Sequence, residues 1–141
     1  VHGHAGEDGV GGGAHAGVSS AAVQGARLPC PLTSGELGGS SWAFLHTTAA
    51  YYPETPTHAQ QALMRSMMEG VAEFYPCGYC AEHLREQFKT MPPDVASRTA
   101  LSTWLCGIHN EVNELVGKPT FDCSRVMERW RDGPADGSCD D

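Results

Sequence analysis
No run of apolar residues in this 141-residue chain approaches the roughly 20 that cross a bilayer, so the sequence offers no membrane span. Positive charge is scarce: 9 Lys and Arg stand against 17 Asp and Glu, and a nucleic-acid surface, which needs clustered positive charge, is not expected. The N-terminus lacks the basic, apolar and small-residue order of a secretory signal; because Val1 rather than Met opens the chain, an upstream address stays open. Convincing alternation of apolar and polar residues is missing from residue 33 onward, which argues against strands and for an all-α domain. Large apolar side chains are almost missing from residues 1–29, a stretch rich in Gly, Ala, His and Ser that cannot bury enough surface to offset its ordering entropy. A disordered tail is expected there, leaving roughly 110 residues for one domain over residues 30–141. Within the tail, Gly9–Ala14 imitates a dinucleotide-binding glycine loop without the strand before it or the βαβ pattern after it, and His2, His4 and His15 read as solvated histidines rather than a metal site.

What is present is helical periodicity. A first helix is expected after Thr33 or Ser34, running to about Tyr52 before Pro53, with Trp42, His46 and Ala49 on one face. A second runs from near Thr57 to Tyr75 with Leu63, Met64, Met67, Val71, Phe74 and Tyr75 at three- and four-residue steps. Pro76 stops it, Cys77 opens a third that breaks at Met91-Pro92-Pro93, and Cys80, Leu84 and Phe88 form its stripe. A fourth starts near Ser97 and ends at Gly117, with Leu101, Trp104, Leu105, Ile108, Val112 and Leu115 facing a core. A short fifth after Asp122 or Ser124 carries Val126 and Trp130, and short connections suggest a four-helix bundle with this helix laid across it.

Cysteine, by contrast, is abundant, and six in a chain this size point to disulfides or metal. Only Cys77 and Cys80 are close together; Cys30, Cys106, Cys123 and Cys139 are dispersed, which favours one redox pair plus staples over a metal finger. A zinc set of Cys77, Cys80 and His83 is the residual alternative. At a helix N-terminus a thiolate is stabilised by unpaired N–H groups and the helix dipole, so a Cys77-Gly-Tyr-Cys80 pair can cycle between dithiol and disulfide. A thioredoxin-like enzyme would need a strand and sheet that cannot be read here, and an inert clip on a helix turn fits the same spacing. Cys106 and Cys123 enclose 16 residues, and a bridge between them would staple the fifth helix to the fourth. Cys30 and Cys139 bracket the folded region and could join termini or subunits.

Cys106, His109, Asn110 and Asn113 fall at i, i+3, i+4 and i+7 of the fourth helix, a face about 10 Å long that suits a flat heteroaromatic ring system. Asn110 and Asn113 are the only asparagines in the chain; helix interiors disfavour them, so something polar should compensate. Trp42 and His46 make a second i, i+4 pair suited to stacking and hydrogen bonding around a ring. Lys118, Arg129 and Arg131 near Trp130 could neutralise a pyrophosphate. Each of these residues also has a plainer reading, as core packing or as a solvated helix end. A helical interaction module with six structural cysteines, or a zinc-stapled adaptor, are the readings from other classes.

These residues, in this order, resemble the Erv/ALR family of FAD-linked sulfhydryl oxidases, most closely its augmenter-of-liver-regeneration branch. The resemblance runs from Cys30 to Asp140 through Glu36-Leu-Gly38, Ser41-Trp42, Leu45-His46-Thr47, Tyr75-Pro-Cys77 to Cys80-Ala-Glu82, Trp104-Leu-Cys106, His109-Asn110-Glu-Val-Asn113, Gly117-Lys118-Pro119, Phe121-Asp-Cys123, Glu128 to Gly133 and Gly137-Ser-Cys139. It implies a helical bundle with FAD bound within it, usually a homodimer, in the mitochondrial intermembrane space or, alternatively, the secretory pathway. It assigns Cys77 and Cys80 as the redox disulfide, Cys80 nearer the flavin and Cys77 open to incoming thiolate. Gly38, Trp42, His46, Tyr75, Cys106, His109, Asn110, Asn113, Lys118, Arg129 and Trp130 match flavin-pocket positions. Cys106 with Cys123 resembles the family's structural bridge, and Cys30 with Cys139 its intersubunit bridge. The implied activity oxidises protein dithiols, or an upstream oxidoreductase, and passes electrons to FAD and then to oxygen, giving hydrogen peroxide, or to cytochrome c. Two departures stand out: Gly39 replaces a common basic residue, and no second C-x-x-C is present to act as a shuttle.

Overall fold
The computed structural model describes Gly25 and residues 27–140, so most of the tail expected over residues 1–29, with His2, His4, His15 and the Gly9–Ala14 stretch, lies outside the described residues. The chain divides into two units, Val1–Pro31 and Leu32–Asp141. Described residues of the first form no helix or strand. The second is helical: α1 (Ser34–Ala50), α2 (His58–Phe74), α3 (Gly78–Thr90) and α4 (Arg98–Val116), then a 3-10 turn at Cys123–Arg125 and a wide π-type turn at Glu128–Asp132. No helix among the described residues is long and apolar enough to cross a membrane.

Each helix starts where a side chain can satisfy its first free N–H groups. Thr33 and Glu36 form a capping box on α1, and Thr57 and Gln60 repeat it on α2. Ser97 Oγ accepts from Ala100 N at 3.0 Å to open α4, which ends where Gly117 takes φ 76°, a left-handed conformation that costs glycine nothing. Helix α1 stops at Ala50 rather than Tyr52. Tyr52 turns inward instead, and its buried hydroxyl donates to the Val95 carbonyl at 2.9 Å, tying the end of α1 to the loop before α4.

Helix α1 packs on α4 and α2 on α3, and one core joins them: Leu45, Ala49 and Tyr52, Met68, Val95, and Leu101, Trp104, Leu105 and Ile108. The stripe expected on α2 is only partly the buried one. Met64, Met67 and Val71 pack against the core, but Met68 and Ala72 are its buried residues, whereas Leu63 is 72 % and Phe74 82 % exposed. On α4, Leu115 is likewise exposed. The fifth helix is the 3-10 turn capped by Asp122, whose Oδ1 accepts from Ser124 N at 3.0 Å, running through buried Val126 into the wide turn. That wide turn packs on α1, which sets Arg129 and Trp130 beside the bundle.

Candidate functional site
Pro76 cannot continue α2, so the backbone breaks and restarts with Cys77 as the N-cap of α3. Cys77 Sγ accepts from Cys80 N at 3.4 Å, and the two cysteines are disulfide-bonded with Cα atoms 5.2 Å apart. The sulfurs therefore sit at the positive end of a helix, where a thiolate released by reduction is favoured. Among the described residues no group of three or more His, Cys, Asp or Glu is arranged to hold a metal ion.

Cys80, but not Cys77, lies on the wall of a cavity of about 620 Å³ between the helices. Leu45, Leu84, Phe88 and Val112 give that cavity an apolar lining, while His109, Asn113, Lys118 and Arg129 contribute polar and cationic groups. Along α1 the wall includes Gly35, Gly38 and Gly39. A glycine inside a helix costs roughly 1 kcal/mol relative to alanine, yet a Cβ added at Gly38 or Gly39 would meet nothing within 4 Å. Close packing thus does not explain these glycines; the open space in front of them does.

Two stacks of rings flank the cavity. Trp42 lies on His109 with centroids 3.9 Å apart and planes 3° from parallel, and His46 lies on Trp130 at 4.8 Å and 5°. His46 Nε2 and His109 Nδ1 are 2.8 Å apart and share one hydrogen bond, while the Arg129 guanidinium sits 3.9 Å over the Trp130 ring. Burial, then His109 and Arg129, push His46 down to about 3; burial and Lys118 lower His109. Both imidazoles are neutral at physiological pH, so one ring donates to the other without charge repulsion. Tyr75 donates its hydroxyl to Ser41 Oγ at 3.0 Å, and Ser41 donates to the Leu37 carbonyl at 2.8 Å, tying the loop before the disulfide to α1.

The structure brings Gly38, Trp42, Tyr75, Cys80, His109, Asn113, Lys118, Arg129 and Trp130 onto one cavity wall; His46, Cys77, Cys106 and Asn110 stand behind it or at its edge. Cys106 is buried and bonded to Cys123, with Cα atoms 5.7 Å apart. Asn110 finds its polar compensation in the chain itself: its amide donates to the Phe121 carbonyl at 2.9 Å and accepts from Phe121 N at 2.8 Å, beside the bridge. Arg131 is paired with Asp132 at 2.7 Å and does not line the cavity. Cys30 and Cys139 carry free, exposed thiols.

Gln87 is a wall residue that the sequence reading missed, although it falls two turns after Cys80 on α3. It is buried and donates to the Ile108 carbonyl at 3.1 Å and Glu111 Oε2 at 3.0 Å, which leaves its own Oε1 without a hydrogen-bond partner. An orphaned buried acceptor is uncommon in a finished interior and fits a site that receives a polar ligand.

The fold and site together define a class: a helical bundle with a disulfide at a helix N-terminus on the wall of an aromatic and cationic cavity. The pattern of the Erv1 / Alr family matches residues 39–131. The FAD-linked sulfhydryl oxidase ERV1 of Oryza sativa subsp. japonica is 45% identical over 100 residues, covering 71% of this chain and 52% of that protein. The mitochondrial FAD-linked sulfhydryl oxidase ERV1 of Saccharomyces cerevisiae is 41% identical over 98 residues, 70% of this chain and 52% of its own length. Among solved structures, the yeast Erv1 core superposes with a TM-score of 0.76 at 37% identity, covering 85% of this chain and 98% of that one. The FAD binding domain of Saccharomyces cerevisiae Erv1 gives 0.72 at 38% identity, over 74% and 99%. The chain belongs to the Erv1 / Alr family. It spans about half the length of the curated relatives it matches.

Proposed function
We propose that this chain is an FAD-dependent sulfhydryl oxidase that makes disulfides in protein thiol substrates, with Cys77 and Cys80 as its redox pair. One observation carries the reading: of two bonded sulfurs at a helix N-terminus, Cys80 lies on the cavity wall and Cys77 does not. A substrate thiolate attacks the outer sulfur of Cys77, the Cys77–Cys80 bond breaks, and the electron pair leaves on Cys80, facing the cavity. The substrate's second thiol then resolves the mixed disulfide and leaves the protein as a dithiol.

The cavity suits the cofactor. Its apolar walls and stacked Trp42 and His109 accept a flat ring system, Gly38 and Gly39 leave room for it along α1, and Lys118 and Arg129 pair with a pyrophosphate. His46 and Trp130 hold the outer aromatic layer, while Cys106 and Asn110 act from behind by fixing α4 against the segment from Phe121 to Cys123. When bound, FAD would supply a two-electron acceptor whose reoxidation by oxygen, giving hydrogen peroxide, or by cytochrome c completes turnover. The chain's own residues orient that group and place a thiolate beside it. Cys77→Ser and Cys80→Ser should each abolish dithiol oxidation, followed as oxygen uptake, while leaving the protein yellow. Full turnover in either variant would refute the assignment.

The active form proposed is a homodimer. Phe44 on α1 and Tyr51 at its C-cap, seven residues apart, are 63 % and 64 % exposed, an outward apolar face that a second copy would cover. Cys30 and Cys139, both exposed thiols, are the candidates for an intersubunit bridge. Two yeast relatives carry "mitochondrial" in their names, and the intermembrane space, where disulfides persist, is the proposed location.

A further inference from the structure
His83 is a second ionisable group on the wall that carries Cys80, and nothing in the scheme above uses it. It is half-buried and follows Cys80 by three residues on α3, the spacing that sets two helical side chains over one another. We propose that His83, as imidazolium, is the charge partner of the Cys80 thiolate formed when a substrate sulfur bonds to Cys77. This rests on the dithiol oxidase reading. In that step the substrate–Cys77 bond forms, the Cys77–Cys80 bond breaks, and the electron pair departs on Cys80 sulfur. No proton moves, so the new negative charge must be met where it appears.

The surroundings leave that task to His83. One turn to either side on α3 stand Tyr79, Cys80, Glu86 and Gln87; Glu86 is bound to Lys89 at 2.6 Å, Glu82 is exposed, and Arg85 is off the wall, its guanidinium donating to the Ala72 carbonyl at 3.0 Å. On α2, packed against α3, the charged residues Arg65, Glu69 and Glu73 are exposed and off the wall, and Tyr75 is engaged with Ser41. From α4, Glu111 is held by Gln87 and His109 is kept neutral by burial and Lys118. Lys118 and Arg129, the remaining wall cations, come from just past the C-terminus of α4 and from the final turn, where they suit a pyrophosphate.

The test uses the full chain with its cofactor in a Cys77→Ser background, where Cys80 is a lone thiol. Its alkylation by iodoacetamide is followed against pH, with the Cys80 peptide resolved from those of Cys30 and Cys139 by mass. Adding His83→Gln should raise the midpoint by about one unit and slow alkylation at pH 7 roughly tenfold, and His83→Lys should restore both. An unchanged midpoint in His83→Gln, or failure of Lys to rescue it, would overturn the proposal. Because thiol ionisation is read directly, a protein that ionises Cys80 as described but oxidises no dithiol would count against the oxidase reading alone.

Discussion

His46 and His109 show how a residue's surroundings decide its charge, and that decision has a measurable consequence for stability. An unfolded histidine takes up its proton near 6.5, whereas burial holds His46 at about 3. Between those values the unfolded chain binds more protons than the folded one, so the stability from the neutral pair is complete above about pH 6.5 and is lost as pH falls toward 3. The thermal midpoint should therefore drop on acidification through that window, and His46→Phe, which keeps the stack on Trp130 but cannot titrate, should flatten the slope. Equal slopes in circular-dichroism melts of the two proteins would contradict this account of the pair. Asn110 makes the complementary point about what can be read from a single residue. Its poor helix propensity signals a polar partner, but the partner is the backbone of Phe121, eleven positions further on, which only folding brings near.

At the scale of elements, the helix ends were legible and the helix faces less so. Thr33, Thr57, Ser97, Gly117 and the Pro76 break act through bonds within a few residues of themselves, so the sequence contains the cause of each boundary. Which side of α2 is buried depends on where α3 and the rest of the bundle lie, and that is why Leu63 and Phe74 emerge exposed while Met68 and Ala72 go inside. Cys80, Leu84 and Phe88 were legible as one stripe, but the cavity in front of them, bordered by Gly38 and Gly39 of α1, forms only when the helices come together. Two predictions belong here. Gly38→Leu should fill the open space, so the purified protein loses its colour while keeping its helical circular dichroism at 25 °C; a yellow Gly38→Leu protein would show that α1 does not border the cofactor. Cys106→Ala, which opens the bridge over a 16-residue loop, should cost about 3 kcal/mol, on the order of 10 °C in midpoint. Its turnover per bound flavin at 25 °C should stay near that of the parent, since the bridge secures α4 without touching the reacting sulfurs. A loss of turnover as complete as that of Cys80→Ser would contradict a purely structural role.

For the whole molecule, the separation of roles between the two sulfurs organises everything else. One end of the pair lies off the cavity, the other faces a cavity lined by all four helices and the final turn, and the acidic, helical chain around them has no membrane-crossing helix among its described residues. The outward apolar face of α1 predicts self-association: Phe44→Glu with Tyr51→Glu should convert a dimer to a monomer in sedimentation velocity, and a parent protein that sediments as a monomer would remove that part of the reading. The most direct test of the central claim is the visible spectrum of the purified protein during anaerobic titration with a small dithiol. The parent should show a flavin band that one equivalent of dithiol bleaches, while Cys77→Ser and Cys80→Ser keep the band unbleached. A colourless parent protein, or a band that dithiol bleaches equally well in both serine variants, would contradict the coupling of this sulfur pair to a flavin.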